Sequence, residues 1–206
     1  MTEISKVISH GKRGHRDDLI AVALYLAAIK NNAGTLPNIE RRDPTPEEIE
    51  DPTVANIDVS LDHDPEKSNF DHHGFSREHP PECAISLVMA HLGIYETARS
   101  VFKWLEPSEI LDSKGPVALA KRYDIDKDIL VHLLSPVENF VLAQWSSYEL
   151  LTPEDSFYQF LLDLGVSTLQ TMDDVAERKE ELKAHGEFFE VSNGVNKIKV
   201  FDATFI

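Results

Sequence analysis

An α/β fold built on a mostly parallel sheet is what this sequence predicts, on three observations. Segments with strand-forming composition recur at residues 4–8, 35–41 and 53–59, bounded by turn formers. A long apolar helical pattern separates the first two. Strand, helix, strand, strand at this spacing suggests a sheet with parallel members, because parallel neighbours need a crossover between them.

The opening segment, Ile4-Ser5-Lys6-Val7-Ile8, reads as a strand that runs into the loop His10-Gly11-Lys12-Arg13-Gly14-His15. Asp17 or Asp18 can cap the next helix, whose apolar positions are Leu19, Ile20, Val22, Ala23, Leu24, Leu26, Ala27 and Ile29. Asn31-Asn32-Ala33-Gly34 stops it. After the second and third strands, Ala84, Ile85, Leu87, Val88, Met89 and Leu92 mark a helix over 82–92 that Gly93 ends. The remainder reads as mostly helical, with helices over 95–104, 116–122, 127–145, 153–164 and 171–184. Residues 187–201 close the chain as a hairpin turned by Asn193-Gly194. One main domain is expected from 206 residues: an α/β core over 1–115, and over 116–206 a helical continuation with the terminal hairpin, packed on the same core.

Composition narrows the function classes. No stretch is apolar for long enough to span a bilayer, and the first residues lack a signal peptide's apolar run, so a cytoplasmic location without membrane contact is the default expectation. Cys83 is the single cysteine, which rules out an intrachain disulfide and, among Ala84 and Ile85, suggests a buried helical thiol. A net charge of −16 repels long polyanions and disfavours a non-specific nucleic-acid coat. Part of that charge can belong to metal-binding carboxylates. Acidic runs such as Pro46-Glu47-Glu48-Ile49-Glu50-Asp51 read as solvated helix surface.

Most of the nine histidines precede residue 92, and the most polar groups of them follow predicted strands. The first loop carries His10, His15 and Asp17; the second carries Asp58, then Asp62, His63 and Asp64; the third is Asn69-Phe70-Asp71-His72-His73-Gly74-Phe75. Loops after strands of an open α/β sheet converge at the strands' carboxyl ends, where ligands bind. Imidazole and carboxylate together suit Mn²⁺, Fe²⁺, Co²⁺ or Zn²⁺, and the lack of thiolates argues against structural zinc. Six or seven such donors exceed the needs of one ion and suit two ions that share a carboxylate. Lys12 and Arg13 can then meet phosphate oxygens. Asp62-His63-Asp64 reads equally as a solvated turn before Pro65. His79, His91, His132 and His185 read as surface or core residues.

These motifs resemble the DHH phosphoesterase superfamily. The nearest resemblance is to its melanocyte-proliferating-gene branch of metal-dependent hydrolases and exonucleases, whose first motif is His-x4-His-x-Asp, here His10, His15 and Asp17. Asp58, Asp64-Pro65 and Asp71-His72-His73 follow in the branch's order, and Asp112, shortly before Gly115, is similar to its last motif. The resemblance covers roughly the first 115 residues. It implies metal ligation by His10, His15, Asp17, Asp58, His72 and Asp112, with Asp58 bridging two Mn²⁺ ions; Mg²⁺, Co²⁺, Fe²⁺ or Zn²⁺ are alternatives. It also implies that His73 faces the substrate phosphate and that Asp71 orients the cluster. DHH enzymes carry a second, substrate-binding domain, for which the about ninety residues after 115 leave too little room for a full α/β unit.

The function expected is a two-metal phosphohydrolase that cleaves a phosphate ester or anhydride in a small phosphorylated substrate, a nucleotide or a short nucleic-acid end. The contrasting expectation is a regulatory module that binds metal or nucleotide without turnover; a third is a helical interaction protein with incidental histidines. A homodimer is compatible with the sequence and not required by it.

Overall fold

The computed structural model describes residues 3–131, 135–192 and 197–202. In chain order its elements are β1 (Lys6–Ser9), α1 (Arg16–Asn31), β2 (Asn38–Arg41), α2 (Pro46–Glu50), β3 (Val54–Ile57), β4 (His63–Asp64), a 3-10 turn (Pro65–Lys67), β5 (Asn69–Phe70), α3 (Ala84–His91), α4 (Tyr95–Val101) and α5 (Leu105–Tyr123). There follow α6 (Lys127–Val131), α7 (Pro136–Ser147), β6 (Leu150–Leu151), α8 (Ser156–His185), β7 (Glu187–Ser192) and β8 (Lys197–Asp202). Six strands make one sheet in the order β4-β5-β3-β1-β2-β6. The four central strands run parallel and the two edge strands antiparallel. The chain is therefore α/β with a mostly parallel sheet.

Strand order reverses at β1: the chain leaves it through α1 to β2 on one side, then returns across it to β3 on the other. A crevice opens at such a reversal, outside the carboxyl ends of the strands. Register sharpens the consequence, because Ser9 pairs with Ile57 and Ile57 with Phe70. His10, Asp58 and Asp71 are each the next residue, so the ends of three strands deliver them side by side.

Helix α1 is buried along nearly its whole length, from Asp17 to Ile29, as befits a helix with apolar residues on most of its faces. It packs against β1 and β3 and is covered by α3 and α8. Contact with α8 is close enough that a Cβ at Gly165 would fall 2.0 Å from the Ala23 carbonyl oxygen. Tyr158 of α8 also donates from its hydroxyl to the Pro37 carbonyl, 2.8 Å away, at the approach to β2. At the start of the sheet, Lys6, Glu40, Arg42 and Glu48 form an ion-pair network. Arg42 meets both Glu48 oxygens at 2.7 Å, and the guanidinium holds that carboxyl down at about 2.

Several local expectations need correction. The cap of α1 is His15, because Asp18 takes the capping-box position and accepts from the His15 amide at 2.9 Å. Asp62-His63-Asp64 forms the edge strand β4 and its approach, and the His63 ring packs beside Phe70 and Phe75. Residues 105–123 are helical on both sides of a break at Gly115 (φ 81°, ψ 172°), so Asp112 lies on a helix. Where the sequence predicts one helix over 127–145, Ser135 caps a new one at Pro136, a residue that lacks the amide needed to continue a helix. The two helices expected over 153–184 are the single α8, and β6 adds an edge strand with no forerunner in the sequence reading. Glu48, placed on a solvated helix surface by its acidic run, is half-buried in the ion-pair network. His132 and the Asn193-Gly194 turn lie outside the described residues. Among the described residues, no helix is long and apolar enough to cross a membrane.

Gly165→Ala is expected to cost about 1 to 3 kcal/mol, since overpacking against a neighbouring backbone outweighs the gain in helix propensity. Thermal unfolding reads this as a fall of roughly 2 to 4 °C per kcal/mol. Glu48 supplies a pH signature. Its folded pKa lies below its ordinary 4.5, so its contribution is complete above that pH and is lost as pH falls toward about 2. Denaturant midpoints at pH 5 and pH 3 are expected to diverge less in Glu48→Gln than in the parent.

Candidate metal centre

The row His10, Asp58, Asp71 is completed from two sides. His72 and His73 continue the loop after β5, while His15 and Asp17 open α1 and Asp112 reaches in from α5. Three groups present donor atoms within 4.8 Å of one another: Asp58, Asp71, His72 and His73; His10, His15 and Asp58; and His15, Asp17 and Asp112. Each of the six ligands that the resemblance implies belongs to at least one group. Asp58 is common to the first two, as a bridging carboxylate would be, and His15 to the last two. His72 Nε2 lies 2.7 Å from Asp112 Oδ2, which links the first group to the third.

Donor chemistry and unmet hydrogen bonds fit divalent cations. Among the described residues, buried Asp17 Oδ2 has no hydrogen-bond partner, while Asp58 Oδ1 and His72 Nε2 are buried and meet only each other, at 3.5 Å, and the charged groups beside them, a costly state that a bound ion relieves. His10 Nδ1 donates to the Gly11 carbonyl at 2.8 Å, which in a neutral ring frees the Nε2 lone pair. That Nε2 lies 3.6 Å from Asp58 Oδ2 and 3.6 Å from Asp18 Oδ2. Asp58 adopts a left-handed backbone (φ 61°), which an aspartate tolerates better than most residues, and its amide donates to the Phe70 carbonyl at 3.0 Å.

Electrostatics point the same way. Burial, then the neighbouring carboxylates of Asp58, Asp112 and Asp18, push the Asp17 carboxyl well above its ordinary range. Burial likewise raises Asp18 to about 6, against the hydrogen bond from the Trp145 indole. Burial opposes a charged His72, but Asp112 and Asp58 beside it hold the imidazole up at about 10. Crowded carboxylates drawing a proton onto a neighbouring imidazole form the field that a cation would neutralise.

Asp71 is wholly buried and has a distinct task. Its Oδ2 accepts from the Leu61 amide at 2.7 Å, and its Oδ1 accepts from the His73 amide at 2.9 Å and meets His73 Nδ1 at 2.6 Å. The carboxylate thereby fixes the half-exposed His73 ring and raises its basicity, against burial. Arg13 lines a cleft of about 440 Å³ with His15, Asp17 and Asp112. Lys12 turns to a different groove, with His10, Arg41 and Tyr148, so only one of the two loop cations shares a cleft with Asp112.

Sequence reading missed the residues that hold the first loop. Arg41, buried at the end of β2, donates to the carbonyls of His10 at 2.8 Å and Trp145 at 2.5 Å, and its guanidinium stacks 4.4 Å over the Trp145 ring. Trp145 Nε1 donates to Asp18 Oδ2 at 2.9 Å. A Cβ at Gly14 would lie 2.2 Å from Trp145 Cδ1, so the glycine lets the loop press onto the indole. The Asp17-Asp18 doublet is the one local signal; nothing local marks Arg41 or Trp145, which stand 104 positions apart.

A scan against protein-family models, a search of curated proteins and a search of solved structures each found no match.

Asp58→Asn keeps the left-handed backbone accessible and removes one charge from the cluster. In chelator-treated protein it is expected to raise the melting temperature by relieving carboxylate repulsion. Added Mn²⁺ is expected to stabilise the parent by about 2.7 kcal/mol at a hundredfold excess over Kd, and to leave the variant nearly unmoved. Equal Mn²⁺ responses in both proteins would count against the centre.

Proposed function

We propose that this chain is a divalent-metal-dependent phosphohydrolase of the DHH phosphoesterase kind, with a two-ion centre, Mn²⁺ being the leading candidate. The observation that carries the reading is the sharing of Asp58 and His15 among three candidate ligand groups in a buried, crowded set of carboxylates and imidazoles. His10, His15, Asp17, Asp58, His72 and Asp112 would hold the ions. Such ions supply Lewis acidity, acidifying water and offsetting the charge that builds on a phosphoryl group.

The chain's own groups account for the remaining tasks. Asp71 accepts a hydrogen bond from His73 Nδ1–H and favours the protonated form of that half-exposed ring, whose Nε2–H can then donate to a phosphate oxygen. Arg13, exposed on the cleft beside Asp17 and Asp112, can pair with a second oxygen through its planar fork. Arg41 and Trp145 keep the His10 to His15 loop in place, so that ligand geometry does not depend on the loop alone. Small phosphorylated molecules, nucleotides or short nucleic-acid ends suit an acidic chain better than a long polyanion does.

Mn²⁺-loaded protein is expected to hydrolyse bis(p-nitrophenyl) phosphate. His73→Gln is expected to retain the Mn²⁺-induced rise in melting temperature while losing roughly 10²-fold or more in kcat. Tight metal binding by the parent with no turnover of any phosphoester would instead identify a binding module.

A further inference from the structure

Asp112 reaches the metal centre by a different route from the other proposed ligands. His10, Asp58 and His72 follow strands, and His15 and Asp17 stand at the start of α1, so sheet register and one buried helix place them. Asp112 comes from α5, which packs on α3 and α4. Its carboxylate meets His72, itself a proposed ligand, at 2.7 Å. The break at Gly115 divides α5, and across it Arg122 reaches Glu106 in an exposed ion pair of the kind that contributes little. Residues 105–114 therefore depend on their own packing for the position of Asp112.

Within that stretch Leu105, Ser108, Glu109 and Ile110 are buried, and Glu109 is the charged one among them. Burying a carboxylate is costly unless it is paired. Tyr95 of α4 donates from its hydroxyl to Glu109 Oε1 at 2.7 Å. Arg99, one turn further along α4, donates to the same hydroxyl at 2.7 Å and lies 3.7 Å from Glu109 Oε2. Burial and the neighbouring Glu109 push the Tyr95 phenol up to about 12, so it stays protonated and remains the donor. Glu109 and Asp112 are three residues apart, which puts them on one helix face, one turn above the other. A directional bond at Glu109 thus limits both rotation of the stretch about its axis and sliding along it. Burial of Leu105 and Ile110 is non-directional and limits neither as sharply. Either motion would carry the Asp112 carboxylate away from His15 and Asp17, and a metal site tolerates displacements of only roughly 0.5 Å.

We propose that Glu109 is a positioning residue of the metal centre: anchored by Tyr95 and Arg99, it fixes the first part of α5 so that Asp112 stands against His15, Asp17 and His72. The proposal rests on the metal centre of the hydrolase reading and adds to it a support drawn from α4, outside the crevice.

Calorimetry of Mn²⁺ binding to the chelator-treated full chain tests this, with Asp112→Ala as the reference for loss of the ligand. Tyr95→Phe removes the hydroxyl and keeps the ring. It is expected to weaken the same binding step as Asp112→Ala, by about tenfold, the lower end of the range for outer partners of metal ligands. Glu109→Ala is expected to match it, and Glu109→Gln, which keeps an oxygen for the Tyr95 hydroxyl, is expected to bind as the parent does. In the Asp112→Ala background Tyr95→Phe is expected to cost nothing further, because the carboxylate that it positions is gone. A bond of merely structural worth would lower the melting temperature, as is expected of Gly165→Ala, and leave every Mn²⁺ affinity unchanged. That result overturns the proposal, as does an effect of Tyr95→Phe that adds fully to that of Asp112→Ala. Tyr95→Phe decides alone where Glu109→Ala does not fold. A parent that binds no Mn²⁺ fails the metal reading itself and the positioning role with it, whereas a parent that binds and variants that bind equally fail the positioning role alone.

Discussion

Parallel register across β1, β3 and β5 is the constraint on which the rest of the molecule depends. Because Ser9, Ile57 and Phe70 lie in one row, the next residues, His10, Asp58 and Asp71, emerge together at the crevice where strand order reverses. A slip of one residue in any of these strands would turn its terminal side chain to the other face of the sheet. The buried apolar strand residues on which that register rests, Val7, Ile8, Ile57 and Phe70, thus position polar residues that they do not touch chemically.

The cost of this arrangement is concentrated in charge. Asp17, Asp18, Asp58 and Asp71 are buried within one crevice and Asp112 stands at its rim, yet the neighbourhood supplies just one buried guanidinium, Arg41. Arg41 lies 3.8 Å from Asp18, and its shorter contacts go to backbone carbonyls of His10 and Trp145. It therefore anchors the loop more than it neutralises the acids. The fold carries unmet donors and mutual repulsion at one place and compensates through the packing of α1 against the sheet, α3 and α8. Buried acidity that a bound cation would neutralise is the physical content of the proposed metal centre.

Legibility differed with the range of the interaction involved. β1, β2, β3, α1, α3 and the His/Asp loops could be read because apolar periodicity and turn residues act within a few positions. Boundaries and breaks were read less well. A cap at His15, the Gly115 break within α5 and the restart of helix at Pro136 depend on backbone dihedrals and capping hydrogen bonds that composition leaves ambiguous. His63 shows the complementary limit: its neighbours suggested a ligand as readily as a turn, and pairing of β4 with β5 set its ring against Phe70 and Phe75 instead.

Sequence by itself determined the α/β class and the set of polar residues available for chemistry, since both follow from local pattern and from which side chains can donate to a metal. Tertiary structure decided which of those residues meet. It separated Lys12 from Arg13 across two grooves and brought Arg41 and Trp145 under the His10 loop. These pairings arise from chain crossings between distant elements, and no local signal encodes the distance between two residues on different elements.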